Sequence, residues 1–303
     1  MLARTLPFWL LLPGLLIIAL VQLYPALFTF YLGAHSLEPG TGRYVFRGLE
    51  NFRRLFGTRL VAESLVHTLV FLAGYAALTL GSALGIALLL RRQVRAGALA
   101  LTLIFIPWAL SDVIAGIVWR LFVVPDYGLM SPFFANPALF GPPGGISVLT
   151  TPPPRSLIGG LPFPPAPAML LLIVASAWKT LPFITLLLLA ALQTVPREVL
   201  ESAAIDGANG PQALRFITLP LILPTLTVAA INLSIGGVNA VGMVFSITSG
   251  GPGTATTVLS YLLYTIGFSR LDFGLAAALS VCMSLLNVGL ALAALRLSSR
   301  GEE

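Results

Sequence analysis

Long apolar stretches alternate with shorter polar segments along the whole chain. Six of these stretches exceed roughly 20 residues, the length of helix that crosses about 30 Å of hydrocarbon. Because lipid offers the backbone no hydrogen-bond partners, each stretch is predicted to be a helix. The pattern therefore predicts an all-α membrane protein with six transmembrane helices in one domain, residues 1–303. The predicted spans are residues 8–32, 65–90, 97–124, 167–192, 221–248 and 274–295.

The composition agrees with a lipid environment. Hydrophobic residues make up 57% of the chain and charged residues 9%, whereas a soluble domain has about 25% charged residues. A soluble enzyme, a disordered chain and a secreted disulfide scaffold are therefore excluded. The net charge of +6 is interpreted as attraction to anionic lipid and not to nucleic acid, because the basic residues are not interleaved with aromatic ones.

The basic residues also bear on orientation and on energy coupling. Arg91, Arg92 and Arg95 fall within five residues of the short segment between the second and third spans. The positive-inside rule places such a segment in the cytoplasm, together with both termini. Lys179 is the only lysine, and Trp178 precedes it, so the chain has no Gly-Lys-Ser/Thr loop for ATP. If ATP drives this protein, another subunit must bind the nucleotide.

Two long segments are then predicted outside the membrane on the other face, residues 33–64 and 125–166. The second is rich in proline and glycine, and proline stiffens a chain into extended pieces. It is interpreted either as an irregular surface loop or as a docking surface for an external partner.

The most informative polar segment covers residues 193–220. Pro196 can begin a helix, and Arg197 to Ile205 is predicted as a short helix that ends in the turn residues Asp206-Gly207. Pro211 begins a second short helix. Small side chains at this bend let another backbone approach closely, as in docking to a groove on a partner.

This segment resembles the EAA loop of ABC importer permeases. The family pattern is Glu-Ala-Ala, three residues, Gly, nine residues, then Ile-x-Leu-Pro. Here it is Glu201-Ser202-Ala203, Gly207 and Ile217-Thr218-Leu219-Pro220 with each spacing kept, and Ser202 replaces the first alanine.

Further motifs resemble the carbohydrate uptake branch, the maltose and glycerol-3-phosphate type, over about residues 15 to 295. They are Gly48-Leu49-Glu50-Asn51-Phe52, Ile205-Asp206-Gly207-Ala208, Thr248-Ser249-Gly250-Gly251-Pro252 and Phe273-Gly274-Leu275-Ala276-Ala277-Ala278. His67 stands where the family pattern usually has asparagine.

The resemblance implies a type I ABC importer permease fold in the inner membrane of a bacterium or archaeon. It implies a sugar or polyol as substrate and, as partners, a second permease subunit, two ATPase subunits and an extracytoplasmic solute-binding protein. ATP and Mg²⁺ would be bound by the ATPase, so the chain itself would hold no cofactor or metal and catalyse no reaction. The residues expected to couple it to the ATPase are Glu201, Ser202, Ala203, Ala204, Asp206, Gly207, Ala208, Ile217, Leu219 and Pro220.

Polar residues recur inside the spans. Asn232, Gly236, Asn239 and Met243 have the spacing of one helix face in the fifth span, and Ser280, Ser284 and Asn287 have it in the sixth. Such faces should avoid lipid, and they either hydrogen-bond between helices or line a translocation cavity.

The charged residues inside the spans leave similar alternatives. Lys179 either caps a carbonyl freed by Pro182 or contacts substrate or a partner permease. Asp112 pairs with Lys179 or with Arg120. The candidate cavity residues of the spans are Asn232, Asn239, Ser280, Ser284, Asn287 and Lys179.

Two alternative functions remain open at the level of sequence. One is an ABC importer for another solute, such as glycerol-3-phosphate or an amino acid. The other is an ion-coupled secondary transporter, which would need titratable groups in the membrane and would leave the EAA spacing unexplained.

Overall fold

A computed structural model of the chain describes residues 2–38, 42–91, 97–125, 127–130, 132, 147–151, 157–158, 161–162 and 166–299. These residues are mainly helical. In chain order the helices are Leu2–Ile18, Tyr24–Gly33, Glu50–Phe56, Arg59–Arg91, Gly97–Ala109, Asp112–Val123, Pro167–Gln193, Arg197–Ile205, Gly210–Ala213, Leu219–Leu221, Leu223–Val238, Val241–Ile247, Leu259–Tyr264 and Phe273–Ser299.

Short π-helical turns and two small sheets complete the described secondary structure. The π-helical turns are Ala19–Leu23, Leu214–Thr218 and Thr265–Ser269. Strand His35–Leu37 pairs antiparallel with Tyr44–Phe46, and Leu157–Ile158 with Leu161–Pro162.

Within the described part of the chain, four helices are long and apolar enough to cross a membrane: Leu10–Gly33, Arg59–Arg91, Pro167–Gln193 and Phe273–Ser298. By length and composition alone, two bent pairs among the described residues raise the number of spans to at most six: Thr102–Ala109 with Asp112–Val123, and Gly210–Leu221 with Leu223–Val238. The second pair is bent by 72°, which sets Gly210–Leu221 apart from the Leu223–Val238 helix. The prediction of an all-α, multi-span membrane protein is confirmed.

The third predicted span is not one continuous helix. Its two halves meet at Leu110 and Ser111 with a bend of 102°. Ser111 has extended backbone angles, and its side chain accepts a hydrogen bond from the Ile114 amide at 3.3 Å. Ser111 is thus the N-cap of a new helix, and the helix breaks here although apolar residues flank Ser111 and Asp112 on both sides.

The fifth predicted span, residues 221–248, is also interrupted. Its first helix ends at Val238, the Asn239 side chain donates to the Ile235 carbonyl at 2.8 Å, and a new helix begins at Val241. Gly236 and Gly237 weaken the helix just before this break. Asn232 and Gly236 thus lie on the first helix, Asn239 at its end and Met243 on the next helix, so the single continuous helix expected from the spacing is not observed.

The chain divides into two compact units. The first consists of Met1–Ala62 and Leu262–Leu286. At its centre Asn51 is fully buried and donates to the carbonyls of Gly33 at 3.0 Å and His35 at 2.8 Å. Arg54 pairs with Asp272 at 2.9 Å. The Gly48-to-Phe52 motif thus fastens the Glu50–Phe56 helix to the end of the first span.

The second unit consists of Glu63–Tyr261 and Asn287–Glu303. Its core is the Pro167–Gln193 helix, whose fully buried side chains include Leu172, Ile184, Leu188 and Leu192. The Gly97–Ala109 and Leu223–Val238 helices pack on it. The Asp112–Val123 helix packs on Val241–Ile247, and Gly116 leaves no room there for a β-carbon beside Ser246.

Two sequence predictions fall largely outside the described residues. Most of the proline-rich loop 125–166 lies there, and so do Arg92 and Arg95 of the arginine cluster. The role of that loop and the orientation derived from the cluster stay predictions.

Candidate functional site

The segment between the fourth and fifth predicted spans forms two short helical pieces joined by a sharp turn. Its first helix, Arg197–Ile205, has the predicted bounds and follows Pro196, whose extended backbone precedes the first turn. Glu198 lies in that first turn, where a carboxylate is favourable next to the helix dipole. The helix is therefore specified by local sequence signals.

A Schellman motif ends this helix. The Ala208 amide donates to the Ala203 carbonyl at 2.9 Å, and the Gly207 amide donates to Ala204 at 3.1 Å. Gly207 has φ +85°, a left-handed conformation that strains residues with a β-carbon. The prediction that Asp206-Gly207 form a C-terminal turn is confirmed.

The second piece begins with a capping box. The Asn209 side chain accepts from the Gln212 amide at 3.0 Å, and the Gln212 side chain accepts from the Asn209 amide at 2.8 Å. Helix Gly210–Ala213 continues through the π-helical turn Leu214–Thr218 into Leu219–Leu221. Both ends of the bend are thus closed by their own hydrogen bonds, which makes it a defined knob.

The knob, residues 197–221, exposes both polar and apolar side chains. Ile205 is 86% exposed and Phe216 is 68% exposed, although neither was predicted as a coupling residue. Among the predicted coupling residues, Ala203 is buried, while Ala208, Ile217 and Leu219 are half-buried. The exposed ones are Glu201, Ser202, Ala204, Asp206, Gly207 and Pro220.

A second feature is a cleft of about 120 Å³ in the second unit. Its described lining consists of Phe71, Tyr75, Asp112, Ser176, Lys179, Thr180, Gly236, Ala240 and Met243. The break at Leu110-Ser111 turns the Asp112–Val123 helix so that its first residue borders the cleft. The break after Val238 likewise leaves Ala240 and Met243 on the wall.

An ion pair between two helices forms part of the cleft wall. Lys179 Nζ lies 2.8 Å from Asp112 Oδ1, and the side chains are 17% and 47% exposed respectively. Of the two partners considered for Asp112, Lys179 is the one observed. A lone charge at the centre of a span costs roughly 2.5–3.5 kcal/mol, and pairing offsets part of that cost.

The other polar groups of the cleft are neutral. The Tyr75 hydroxyl donates to Thr180 Oγ1 at 2.9 Å. Ser176 is 6% exposed, and its hydroxyl has no hydrogen-bond partner among the described residues. A buried hydroxyl without a partner is unfavourable, so Ser176 is available to a bound ligand.

Only Lys179 of the predicted cavity residues belongs to the described lining of this cleft. Asn232, Asn239 and Ser284 are exposed, and Ser280 and Asn287 are half-buried. The Ser284 hydroxyl donates to Ser280 within its own helix at 2.9 Å, and Asn287 Oδ1 is buried without a partner among the described residues. These five stay predictions.

Sequence reasoning missed Tyr75, Ser176 and Thr180 as cleft residues. For Ser176 and Thr180 a sequence signal was present, since they lie one turn apart in the same helix, on either side of Lys179. Among the described residues, no group of three or more His, Cys, Asp or Glu side chains is placed to hold a metal ion.

An apolar helical bundle with broken spans, a polar cleft and an exposed two-helix knob defines a multi-pass transport protein of the membrane. The sequence signature of the binding-protein-dependent transport system inner membrane component matches residues 77–301. The chain belongs to this family. It is an import permease, which excludes the ion-coupled alternative.

Two relatives illustrate the breadth of the family. The sn-glycerol-3-phosphate transport system permease protein UgpA of Pectobacterium atrosepticum is 32% identical over 97% of this chain and 94% of the relative. The trehalose/maltose transport system permease protein MalF of Thermococcus litoralis is 31% identical over 89% of this chain and 85% of the relative.

Solved structures agree on the fold. The chain resembles a subunit of a bacterial ABC transporter involved in the import of the acidic polysaccharide alginate, with a TM-score of 0.76 and 21% identity over 99% of this chain and 97% of that one. A second alginate transporter structure, in complex with a pentasaccharide-bound periplasmic protein, gives a TM-score of 0.73 at 20% identity, over 99% of this chain and 96% of that one.

Proposed function

We propose that this permease imports a sugar or related polyol and that its knob, residues 197–221, contacts a separate ATPase subunit. The observation that carries the coupling role is the exposure of Ile205 and Phe216 on this segment. Large exposed apolar side chains beside polar ones are typical of protein contact surfaces. A rigid, capped bend suits a lever that transmits movement.

The proposed roles follow from position. Glu201 offers a carboxylate to a donor on the ATPase. Ser202 and Ala204 are small and exposed, so a partner backbone can approach the helix there. Gly207 supplies the left-handed turn that sets the angle between the two pieces.

The remaining coupling residues would support or extend this contact. Ala203 is the buried residue of the Arg197–Ile205 helix, and Asp206 and Ala208 flank the turn at Gly207. Ile217, Leu219 and Pro220 form the side of the knob that leads into the next span.

The partner subunits follow from the proposed role as an import permease. ATP and Mg²⁺ would be bound by two ATPase subunits, and this chain would catalyse no reaction and bind no cofactor itself. A second permease subunit, a different chain, and a solute-binding protein outside the membrane would complete the transporter. The knob and both termini would then lie in the cytoplasm.

The cleft supports an uncharged, hydroxyl-rich substrate. Its tyrosine, serine and threonine hydroxyls can form hydrogen bonds with sugar hydroxyls. The Ser176 hydroxyl has no partner among the described residues, so it loses no hydrogen bond when it binds a ligand. The name of one relative, a trehalose/maltose permease, agrees with an uncharged carbohydrate, whereas the solute in the name of the other, sn-glycerol-3-phosphate, is an anion. Asn232, Asn239, Ser280, Ser284 and Asn287 are proposed as further substrate contacts.

The coupling role is tested by matched substitutions on the knob. We expect Glu201→Ala and Gly207→Asp to reduce the ATPase recovered with the affinity-purified permease by about tenfold or more. The controls are two knob residues outside the proposed coupling set. They are Glu198→Ala, an exposed carboxylate on the same helix, and Gly210→Asp, which adds the same charge where the backbone is unstrained. Both controls should retain wild-type recovery.

All four variants must reach the membrane in equal amounts, measured by immunoblot of the membrane fraction. Undiminished ATPase recovery and ATP-driven uptake in both test variants would remove the docking role from the knob.

A further inference from the structure

The Asp112–Lys179 ion pair joins two helices beside the cleft. Lys179 is in the middle of the Pro167–Gln193 helix, and Asp112 is the first residue of the helix that follows the 102° bend. Both side chains border the cleft. The bend therefore places a negative carboxylate and a positive ammonium side by side at the cleft.

Small neighbours hold Asp112 in this position. A β-carbon at Gly242 would come within 2.7 Å of Asp112 Cβ, so glycine is needed there for Asp112 to approach. Lys179 is the more buried partner, and its charge would be expensive without Asp112. The packing thus keeps the carboxylate against the ammonium.

Asp112 and Lys179 are the charged residues among the described residues of the cleft, and their charges cancel. The rest of the described lining offers hydroxyls, glycine, alanine and apolar side chains. We propose that Asp112 is a specificity-determining residue, which by neutralising Lys179 makes the cleft accept uncharged polyhydroxyl ligands and reject anionic ones. This inference rests on the proposed role of the cleft as the substrate site.

The physical reason is that an anion has no favourable position in this cleft. To reach the Lys179 ammonium it must displace a carboxylate at 2.8 Å or lie beside that carboxylate, and like charges at such distances repel strongly in a partly buried site. A sugar hydroxyl, in contrast, can donate to Asp112 while it accepts from Lys179. The pair thus favours neutral ligands and disfavours anionic ones at once.

The test compares two probes of the same shape and different charge. Methyl α-D-glucoside is uncharged, and methyl α-D-glucuronide carries a carboxylate in place of its primary alcohol. Binding to the full-length protein in lipid nanodiscs is followed by tryptophan fluorescence, because Trp178 adjoins Lys179 and lies 5.8 Å from Trp119 between ring centroids. The measured quantity is the ratio of the two dissociation constants.

We expect the wild type to bind the glucoside more tightly. Asp112→Asn, which keeps the shape of the side chain, should shift the ratio towards the glucuronide by on the order of tenfold or more, because Lys179 is then unpaired. The double variant Asp112→Asn with Lys179→Met should return the preference to the neutral probe. Arg54→Gln is the control, since it breaks the Arg54–Asp272 pair in the other unit and should leave the ratio unchanged.

Three results would overturn the inference. An equal ratio in wild type and Asp112→Asn, with both probes bound, removes the selectivity role and leaves the cleft as a sugar site. A shift of the same size in Arg54→Gln shows a nonspecific effect of charge removal. Failure of both probes to bind the wild type removes the cleft from the proposed function and the selectivity role with it.

Discussion

At the scale of the residue, position 116 requires glycine because Ser246 lies directly opposite it. Gly116 is buried in the contact between the Asp112–Val123 and Val241–Ile247 helices, and a β-carbon there would overlap Ser246 Oγ. Ser246 cannot turn away freely, since its hydroxyl donates to the Gly242 carbonyl at 2.7 Å. The close approach of these helices holds Asp112 at the cleft.

Gly116→Ala should therefore destabilise the protein by about 1–3 kcal/mol, because overpacking of a tight contact forces the backbone apart. The measurement is thermal unfolding in detergent followed by tryptophan fluorescence. The control is Gly85→Ala, because a β-carbon at Gly85 meets nothing within 4 Å. Equal melting temperatures for the two variants would contradict the close contact.

At the scale of the element, Asn51 explains why the Glu50–Phe56 helix is held beside the end of the first span. Its amide is buried and serves two carbonyls, whereas Arg54 on the same helix makes an ion pair with side chains 47% and 30% exposed. A buried hydrogen-bonding group matters more to stability than an ion pair that water can replace.

We expect Asn51→Ala to lower the free energy of unfolding by about 1–3 kcal/mol, since the Gly33 and His35 carbonyls lose their shared donor. Arg54→Ala, the matched change on the same helix, should cost about 0–1 kcal/mol. Denaturation in a series of detergent and urea mixtures measures both. A larger loss in Arg54→Ala than in Asn51→Ala would refute this ranking.

At the scale of the whole molecule, the proposed orientation puts the knob and both termini in the cytoplasm. Cys282 is the one cysteine of the sequence, so Cys282→Ala gives a background for site-specific labelling. Arg47 and Glu198 are both exposed, and the orientation puts them on opposite sides of the membrane.

A membrane-impermeant maleimide added to intact cells should label Arg47→Cys, and it should label Glu198→Cys only after the membrane is permeabilised. The Cys282→Ala parent serves as the unlabelled reference. Labelling of Glu198→Cys in intact cells would reverse the orientation and place the knob out of reach of a cytoplasmic ATPase.

Several parts of the fold and site were accessible to sequence reasoning because their signals are local. Pro196, Asp206 and Gly207 fix the bounds of the Arg197–Ile205 helix within a few residues of chain. The break at Ser111 also had a local signal, an N-cap serine followed by aspartate, but the apolar residues on both sides of it within 97–124 concealed it. The exposure of Ile205 had no local sequence signal, because the burial of a side chain depends on which other parts of the chain cover it.

The amino-acid sequence by itself determined a lipid-embedded helical chain with a capped knob, since hydropathy, caps and turn residues act over one or two helical turns. Tertiary structure alone decided that Asp112 meets Lys179 and that Tyr75, Ser176 and Thr180 border one cleft with them. Those residues come from separate helices, and their distances depend on the bend at Ser111 and on the helix contacts that Gly116 and Gly242 permit. Side-chain charge can be read from the sequence, whereas the partner that neutralises it is set by packing.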